Sequence, residues 1–368
     1  MTPEAGSTIL RKCPGMTAFP KPRIQFFPTG QLKDGALCGK PAPMNETLRF
    51  PSIPLRDWIS IARPHILGIV FASTLVYGWI FTEHFAIDVA LLAVWDWFIV
   101  NFMNKATDLD EDAANAIPGA TLARENAGAI QAFGFAMIAA GLWAGQALNP
   151  ALLPWRLVFT AIGLAYNYKV LPVPFGPSSP LARFVRPYPG VLGSFFTRLF
   201  FTRLKETYFF KNFGSSMLFT LSVFLYPRYG ITGGDAYPWD KLLLCIGFFI
   251  PLELTYEIFY DLRDIDGDRA LQVPTYPVIH GAEGGKKILL GLLALSALPI
   301  LAGAASGVLR LRETCVIAGV IQQAWIYRSI ASGPKLPTSR QCIAITWLGA
   351  AQLMSYVLWV KLGLPLGE

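Results

Sequence analysis

Two acidic clusters carry most of the chemistry this chain could perform. The first is Asn104-Lys105-Ala106-Thr107-Asp108-Leu109-Asp110-Glu111-Asp112, and the second is Asp261-Leu262-Arg263-Asp264-Ile265-Asp266-Gly267-Asp268-Arg269. Asn104, Asp108 and Asp112 stand four residues apart, as do Asp264 and Asp268, with Asp261 a turn earlier. On a helix such a step places side chains on one face. Carboxylates stacked in this way repel each other unless a cation lies between them. Hard oxygen ligands with room for water suit Mg²⁺, which is usually held by one or two carboxylates together with substrate phosphates. Two such faces across a cavity could therefore hold a diphosphate through bridging metal ions.

These clusters must be positioned by elements that live in lipid. Of the 368 residues, 53% are hydrophobic and only 15% charged, with a mean hydropathy of +0.44. A soluble domain carries about 25% charged residues, so most of the apolar surface here has no polar shell. Apolar segments of roughly spanning length occur at 64–82, 86–104, 127–147, 151–168, 209–227, 241–261, 286–305, 313–331 and 342–361. The predicted fold is an all-α polytopic transmembrane bundle of about nine spans in two pseudo-repeated halves. Each half contributes one aspartate cluster, after the second and the sixth span.

If the N-terminus and every second loop share one side, that side holds 25 of the 31 Lys and Arg residues. The other side has Arg156, Arg228, Lys241, Arg310, Arg312 and Lys361. The positive-inside rule then makes the N-terminus and both acidic clusters cytoplasmic. Residues 1–56 read as a flexible polar tail and 57–364 as the transmembrane catalytic domain, with 176–200 as an insertion. The net charge of +7 comes without a basic run or a recognition motif, which argues against nucleic acid as a partner. The five cysteines have no metal-ligand or disulfide spacing, and the three histidines are scattered.

The two clusters resemble the signatures of the UbiA superfamily of intramembrane prenyltransferases, N-D-x-x-D-x-x-x-D and D-x-x-D-x-x-x-D. The second is matched in full by Asp261, Asp264 and Asp268. The first is matched at Asn104, Asp108 and Asp112, with Lys105 in place of an acid. The Arg63-Pro64 entry to the first span and the stretch Pro274-Thr275-Tyr276-Pro277 are also similar, and the resemblance covers about 57–364.

It implies Mg²⁺ as cofactor, held by Asn104, Asp108, Asp112, Asp261, Asp264 and Asp268. Asp108, Asp112, Asp264 and Asp268 would be the catalytic carboxylates. Diphosphate ligands would come from Arg63, Asn104, Lys105 and Arg263, and from a Tyr–Lys pair after the fourth span. That pair is either Tyr166 with Lys169 or a later set, Lys205 followed by Lys211 and Asn212. Arg263 and Arg269 are also expected to pair with neighbouring aspartates.

The implied reaction ionises an isoprenyl diphosphate and transfers the prenyl group to an aromatic or similar acceptor. A terpene cyclase of the same superfamily is the alternative. A membrane transporter is a third reading, which leaves two D-x-x-x-D faces on one side of the bilayer unexplained. The spans near the clusters read as poor in polar residues, with His65 the only histidine close to the first span's entry and no evident base for an acceptor.

Overall fold

The computed structural model describes residues 54–168, 203–206, 208, 210–232, 237–271, 273–331 and 334–363. Lys169, the 176–200 segment and nearly all of the 1–56 tail lie outside them. Among the described residues the secondary structure is helical, with no strand. The bundle runs α1 (Leu55–Ala62), α2 (Pro64–Thr82), α3 (Ile87–Thr107), α4 (Leu109–Ala114), α5 (Ala120–Glu125), α6 (Ala127–Leu148) and α7 (Leu153–Asn167). It continues with α8 (Phe210–Thr220), a π-helical turn Leu221–Leu225, α9 (Tyr226–Thr232), α10 (Trp239–Ala270) and α11 (Tyr276–Ala305). The last long helices are α12 (Ala318–Ala331) and α13 (Ser339–Lys361).

All nine predicted segments are helical. Six helices among the described residues are long and apolar enough to cross a bilayer: Leu55–Thr82, Ile87–Thr107, α6, α10, α11 and α13. The chain is thus an integral multi-pass membrane protein. The 151–168 segment forms only the 15 residues of α7.

Helix α11 begins ten residues before its predicted start at 286, and α10 continues nine residues past its predicted end at 261. The entire second acidic cluster therefore lies inside a continuous helix. Its carboxylates are all paired: Asp261 and Asp268 with Lys211 from α8, Asp264 and Asp266 with Arg263 and Arg269 of α10 itself. The first cluster differs from expectation in the opposite sense. Helix α3 stops at Thr107, and Asp108 (φ −106°, ψ 27°) stands between α3 and α4. Backbone hydrogen bonds nevertheless run from Asp108 N to Asn104 O (3.0 Å) and from Asp112 N to Asp108 O (2.8 Å). The chain bends there without losing its four-residue step.

Helix α2 is central. Pro64 occupies its first position, where a missing N–H costs nothing, and Val70, Ala72 and the run from Ser73 to Phe81 are buried. It packs with α3, the α8–α9 segment, α10 and α13 around a core that includes Tyr77, Trp97, Phe224 and Phe248. Helix α6 leaves most of its surface outward, with Trp143 76% exposed, as a lipid-facing helix should.

Two basic residues counted as orientation charges prove to be internal. Arg156 is 1% exposed and forms a bidentate pair with Asp96, Nε to Oδ2 at 2.8 Å and Nη2 to Oδ1 at 2.6 Å. The Tyr226 hydroxyl donates to the same carboxylate at 2.8 Å. Gly145 makes room for this guanidinium, since a Cβ there would lie 1.7 Å from Arg156 Nη1. Arg228 is buried as well, with its guanidinium 4.0 Å from the Trp239 ring. Neither charge faces water, so neither weighs on topology as a loop residue does.

Candidate active site

Both acidic clusters open on one cavity of about 830 Å³. Its mouth is polar, lined by Arg63, Asn104, Lys105, Asp108, Glu111, Asp112, Asn115, Tyr166, Lys205, Lys211, Asp261, Arg263 and Asp264. Its depth is aromatic and apolar, with Tyr77, Trp97, Phe219, Phe248 and Phe249 on the wall. Asp268 and Asn212 stand just behind the lining. Asp268 is held by Asn115 Nδ2 at 3.2 Å, and Asn212 Nδ2 donates to Asp261 Oδ2 at 2.8 Å.

The contact between Asn115 and Asp268 ties the end of α4 to the end of α10. Gly267 permits this close approach, because a Cβ there would fall 1.9 Å from Asn115 Oδ1. The two clusters consequently lie at the same end of the bundle.

Each motif aspartate faces a cation. Lys105, 2% exposed, reaches Asp112 Oδ2 at 2.8 Å. Lys205 pairs closely with Asp108 and also donates to Asn104 Oδ1 at 3.2 Å. Arg203 Nη1 lies 3.3 Å from Asp108 Oδ1. Lys211 bridges Asp261 (3.3 Å), Asp268 (3.2 Å) and Glu111 (3.7 Å). Arg263 donates from Nε to its neighbour Asp264 at 2.7 Å, while Arg269 pairs with Asp266 at 3.3 Å, both as the sequence suggested.

Burying a carboxylate without such a partner would cost several kcal/mol, of the order of 3–5. The ammonium and guanidinium groups are what allow acids to cluster at the edge of an apolar bundle. Of the two alternative sets, Lys205 and Lys211 lie among the acids, whereas Lys169 lies outside the described residues. Tyr166 lies near Lys205, whose Nζ is 6.0 Å from the ring centroid. Arg63 adopts a left-handed backbone (φ 47°) and donates to Asn101 Oδ1 at 3.3 Å from the cavity wall.

The residues at the mouth fit a hard divalent cation bridged to phosphate. Oxygen donors converge from α3, α4 and α10. Among the described residues, however, no three His, Cys, Asp or Glu side chains are close enough to hold a metal alone. Mg²⁺ needs only one or two carboxylates when phosphate oxygens and water complete its shell. The surrounding lysines and arginines supply the further positive charge that a diphosphate demands.

Sequence reasoning missed part of the site. Glu111, Asn115 and Arg203 at the mouth were not singled out. Nor were Glu253 and Glu257, which line the cavity below Asp261. The reading of these spans as poor in polar groups is therefore corrected. The signal was present: Glu253, Glu257 and Asp261 continue the same step of four along α10.

The sequence profile of the UbiA prenyltransferase family matches residues 187–355, which include the whole second motif. The fold agrees. A UbiA homologue from Archaeoglobus fulgidus, solved bound to GPP and Mg²⁺, superposes with a TM-score of 0.58 at 16% identity, covering 83% of this chain and 99% of that one. The chain is similar to the UbiA prenyltransferase family over residues 187–355 and shares the fold of the solved UbiA homologues. The Archaeoglobus fulgidus homologue bound to DMAPP and Mg²⁺ gives a TM-score of 0.57 at 17% identity, over 82% of this chain and 99% of that one. The apo homologue from Aeropyrum pernix K1 gives 0.51 at 15% identity, over 82% and 98%. No curated protein matches the chain in sequence. The profile match leaves out the first motif, the part of the UbiA pattern from which this chain departs at Lys105.

Proposed function

We propose that the chain is a Mg²⁺-dependent intramembrane prenyltransferase. It ionises an isoprenyl diphosphate and transfers the prenyl group to an aromatic or similar acceptor. The observation that carries this reading is the single cavity in which both aspartate motifs meet above an aromatic, apolar depth. The match to the UbiA prenyltransferase family over residues 187–355, the shared fold, and the diphosphates and Mg²⁺ bound to the solved homologues support it. The catalytic unit is 57–364, with the motifs on the cytoplasmic side.

In this reading Asn104, Asp108, Asp112, Asp261, Asp264 and Asp268 would hold Mg²⁺, whose positive charge would favour departure of the diphosphate. Lys105, Lys205, Lys211, Arg63 and Arg263 orient the phosphates through charge-assisted hydrogen bonds. Asn212 keeps Asp261 in place, and Tyr166 closes one side of the mouth. The prenyl chain runs inward, where ring faces favour positive charge on its allylic carbons.

The aromatic wall would equally serve a terpene cyclase, so the product decides. Membranes containing the protein are incubated with geranyl or farnesyl diphosphate and Mg²⁺, with and without a phenolic acceptor. Only slow hydrolysis is expected without acceptor, and efficient prenylation with it. A cyclic hydrocarbon or terpene alcohol formed from the diphosphate alone would establish the cyclase.

Lys105 provides a second check. As the counter-charge of Asp112 and a phosphate ligand, its loss in Lys105→Ala should raise the KM for the diphosphate about tenfold, the worth of one hydrogen bond to a charged group. Lys105→Asp restores the family's acid and should shift the Mg²⁺ dependence of turnover. Unchanged steady-state constants in both variants would reduce Lys105 to an orientation charge.

A further inference from the structure

On α2 the cavity lining passes from the polar Arg63 and His65 to apolar side chains at Ile66, and it stops at Tyr77. Tyr77, 2% exposed, lies among rings, with centroids 4.8 Å away at Phe224 and 5.9 Å away at both Phe249 and Phe81. Beneath this layer Ile80, Leu242 and Cys245 are fully buried, so among the described residues the core below it is solid. The sides are closed as well. Helices α2 and α13 meet through glycines: a Cβ on Gly68 would lie 2.6 Å from Trp347 Cζ3, and one on Gly349 would lie 3.1 Å from Ile69 Cδ1. Helix α12 meets α10 at Gly319, where a Cβ would lie 3.3 Å from Leu252 Cδ2. On the side of α3 and α8, the rings of Trp97 and Phe219 are 4.2 Å apart. A prenyl chain that enters at the mouth must therefore end within the cavity.

Helix geometry gives the length available. From Ile66 to Tyr77 the apolar wall of α2 runs about 16 Å, at 1.5 Å per residue. On α10 the distance from Asp261 to Phe248, the deepest lining residue of that helix, is about 20 Å, and the phosphates occupy its first part. A fully extended chain advances about 1.2 Å per bond, since a residue of three bonds spans at most about 3.6 Å. An isoprene unit adds four main-chain bonds, or about 5 Å. Three units come to about 15 Å, which the apolar wall accommodates, whereas four come to about 20 Å and overrun Tyr77. One turn above this floor Ser73 lines the same wall with a small side chain, its hydroxyl donating to Ile69 O at 2.6 Å. The step from Ser73 to Tyr77 is about 6 Å, close to one isoprene unit.

We infer that this blind cavity measures the prenyl chain: it takes allylic diphosphates of up to three isoprene units, farnesyl diphosphate filling it best, and excludes the four-unit geranylgeranyl chain. Tyr77 sets the limit, and the small side chain of Ser73 leaves room for the third unit. The inference rests on the reading that an isoprenyl diphosphate is held at the mouth with its chain inward. A longer chain has to fold back on itself or displace the ring of Tyr77 from its packed neighbours. A bulky residue at position 73 raises the floor by one unit, and a small one at position 77 lowers it.

The test measures Mg²⁺-dependent binding of three unreactive probes to the purified full chain in lipid nanodiscs: the thiolodiphosphate analogues of geranyl, farnesyl and geranylgeranyl diphosphate. Affinities are expressed per mole fraction of probe in the lipid, so that partitioning of the longer chains does not count. The farnesyl probe should bind about tenfold or more tightly than the geranylgeranyl probe, the usual loss when a packed wall is overfilled. In Tyr77→Ala the geranylgeranyl probe should gain about tenfold and approach the farnesyl probe. In Ser73→Phe the geranyl probe should bind as before, while the farnesyl probe loses about tenfold. If a variant does not fold, the order of the three probes on the native chain decides. A geranylgeranyl probe bound as tightly as the farnesyl probe on the native chain overturns the inference, as does an order that neither folded variant alters. Binding of all three without any dependence on length would sink only the limit at Tyr77. Absence of Mg²⁺-dependent binding for every probe would sink the isoprenyl diphosphate reading itself, and the inference with it.

Discussion

Asp108→Asn and Asp264→Asn each lower Mg²⁺-dependent turnover of an allylic diphosphate by about a hundredfold or more, the loss typical when one preorganised electrostatic partner of the transition state is removed. Both side chains line the cavity mouth, one at the bend between α3 and α4 and the other on α10. The amide keeps the volume and the hydrogen-bonding reach of the acid, so the protein remains folded and membrane-inserted. Only the negative charge that holds the metal is lost. Asp110→Ala and Asp266→Ala are the matched controls, because those side chains are 86% and 88% exposed and pair outside the cavity with Arg124 and Arg269. Their turnover should stay within a small factor of the unaltered protein. Initial rates of diphosphate release at saturating Mg²⁺ decide the matter. Near-normal rates in both Asn variants would falsify the two-motif mechanism.

The second large effect is on stability and arises far from the mouth. Asp96→Leu should cost about 3–5 kcal/mol, because it leaves the Arg156 guanidinium, 1% exposed, buried without its carboxylate. The Tyr226 hydroxyl would lose its acceptor at the same time. The double change Asp96→Leu/Arg156→Met removes both charges and should recover much of that loss, since a buried ion pair replaced by apolar groups is often nearly neutral. Thermal unfolding in a fixed detergent measures both. A single variant as stable as the unaltered protein would show that water reaches Arg156. A double variant as unstable as the single would mean that packing, including the space at Gly145, dominates instead.

The two acidic motifs were legible because their chemistry lives in local spacing. Asp261, Asp264 and Asp268 share one face in any helix that contains them, whatever surrounds it. Glu253 and Glu257 obeyed the same rule but were overlooked, since a carboxylate within an apolar run takes on meaning only when it faces a cavity. Arg156 shows the converse. At the start of a short apolar segment it reads as a charge at the membrane edge, and only the arrival of Asp96 from α3, sixty residues away, makes it internal.

The sequence by itself determined the solvent and the helical class, since a 15% charged content and repeated apolar segments leave lipid as the only medium in which the backbone can be satisfied. It also determined the order of the motifs and the chemistry of their oxygen donors. Only the tertiary structure decided which cations meet which acids. Lys205 and Asp108, or Lys211 and Asp268, are separated by long stretches of chain, and no periodicity relates them. It also decided that Asp261 and Asp268 take their counter-charge from Lys211 of another helix, whereas Asp264 and Asp266 find theirs in Arg263 and Arg269 of α10 itself. Local spacing sets the direction of a side chain, whereas its partner is set by how the helices pack.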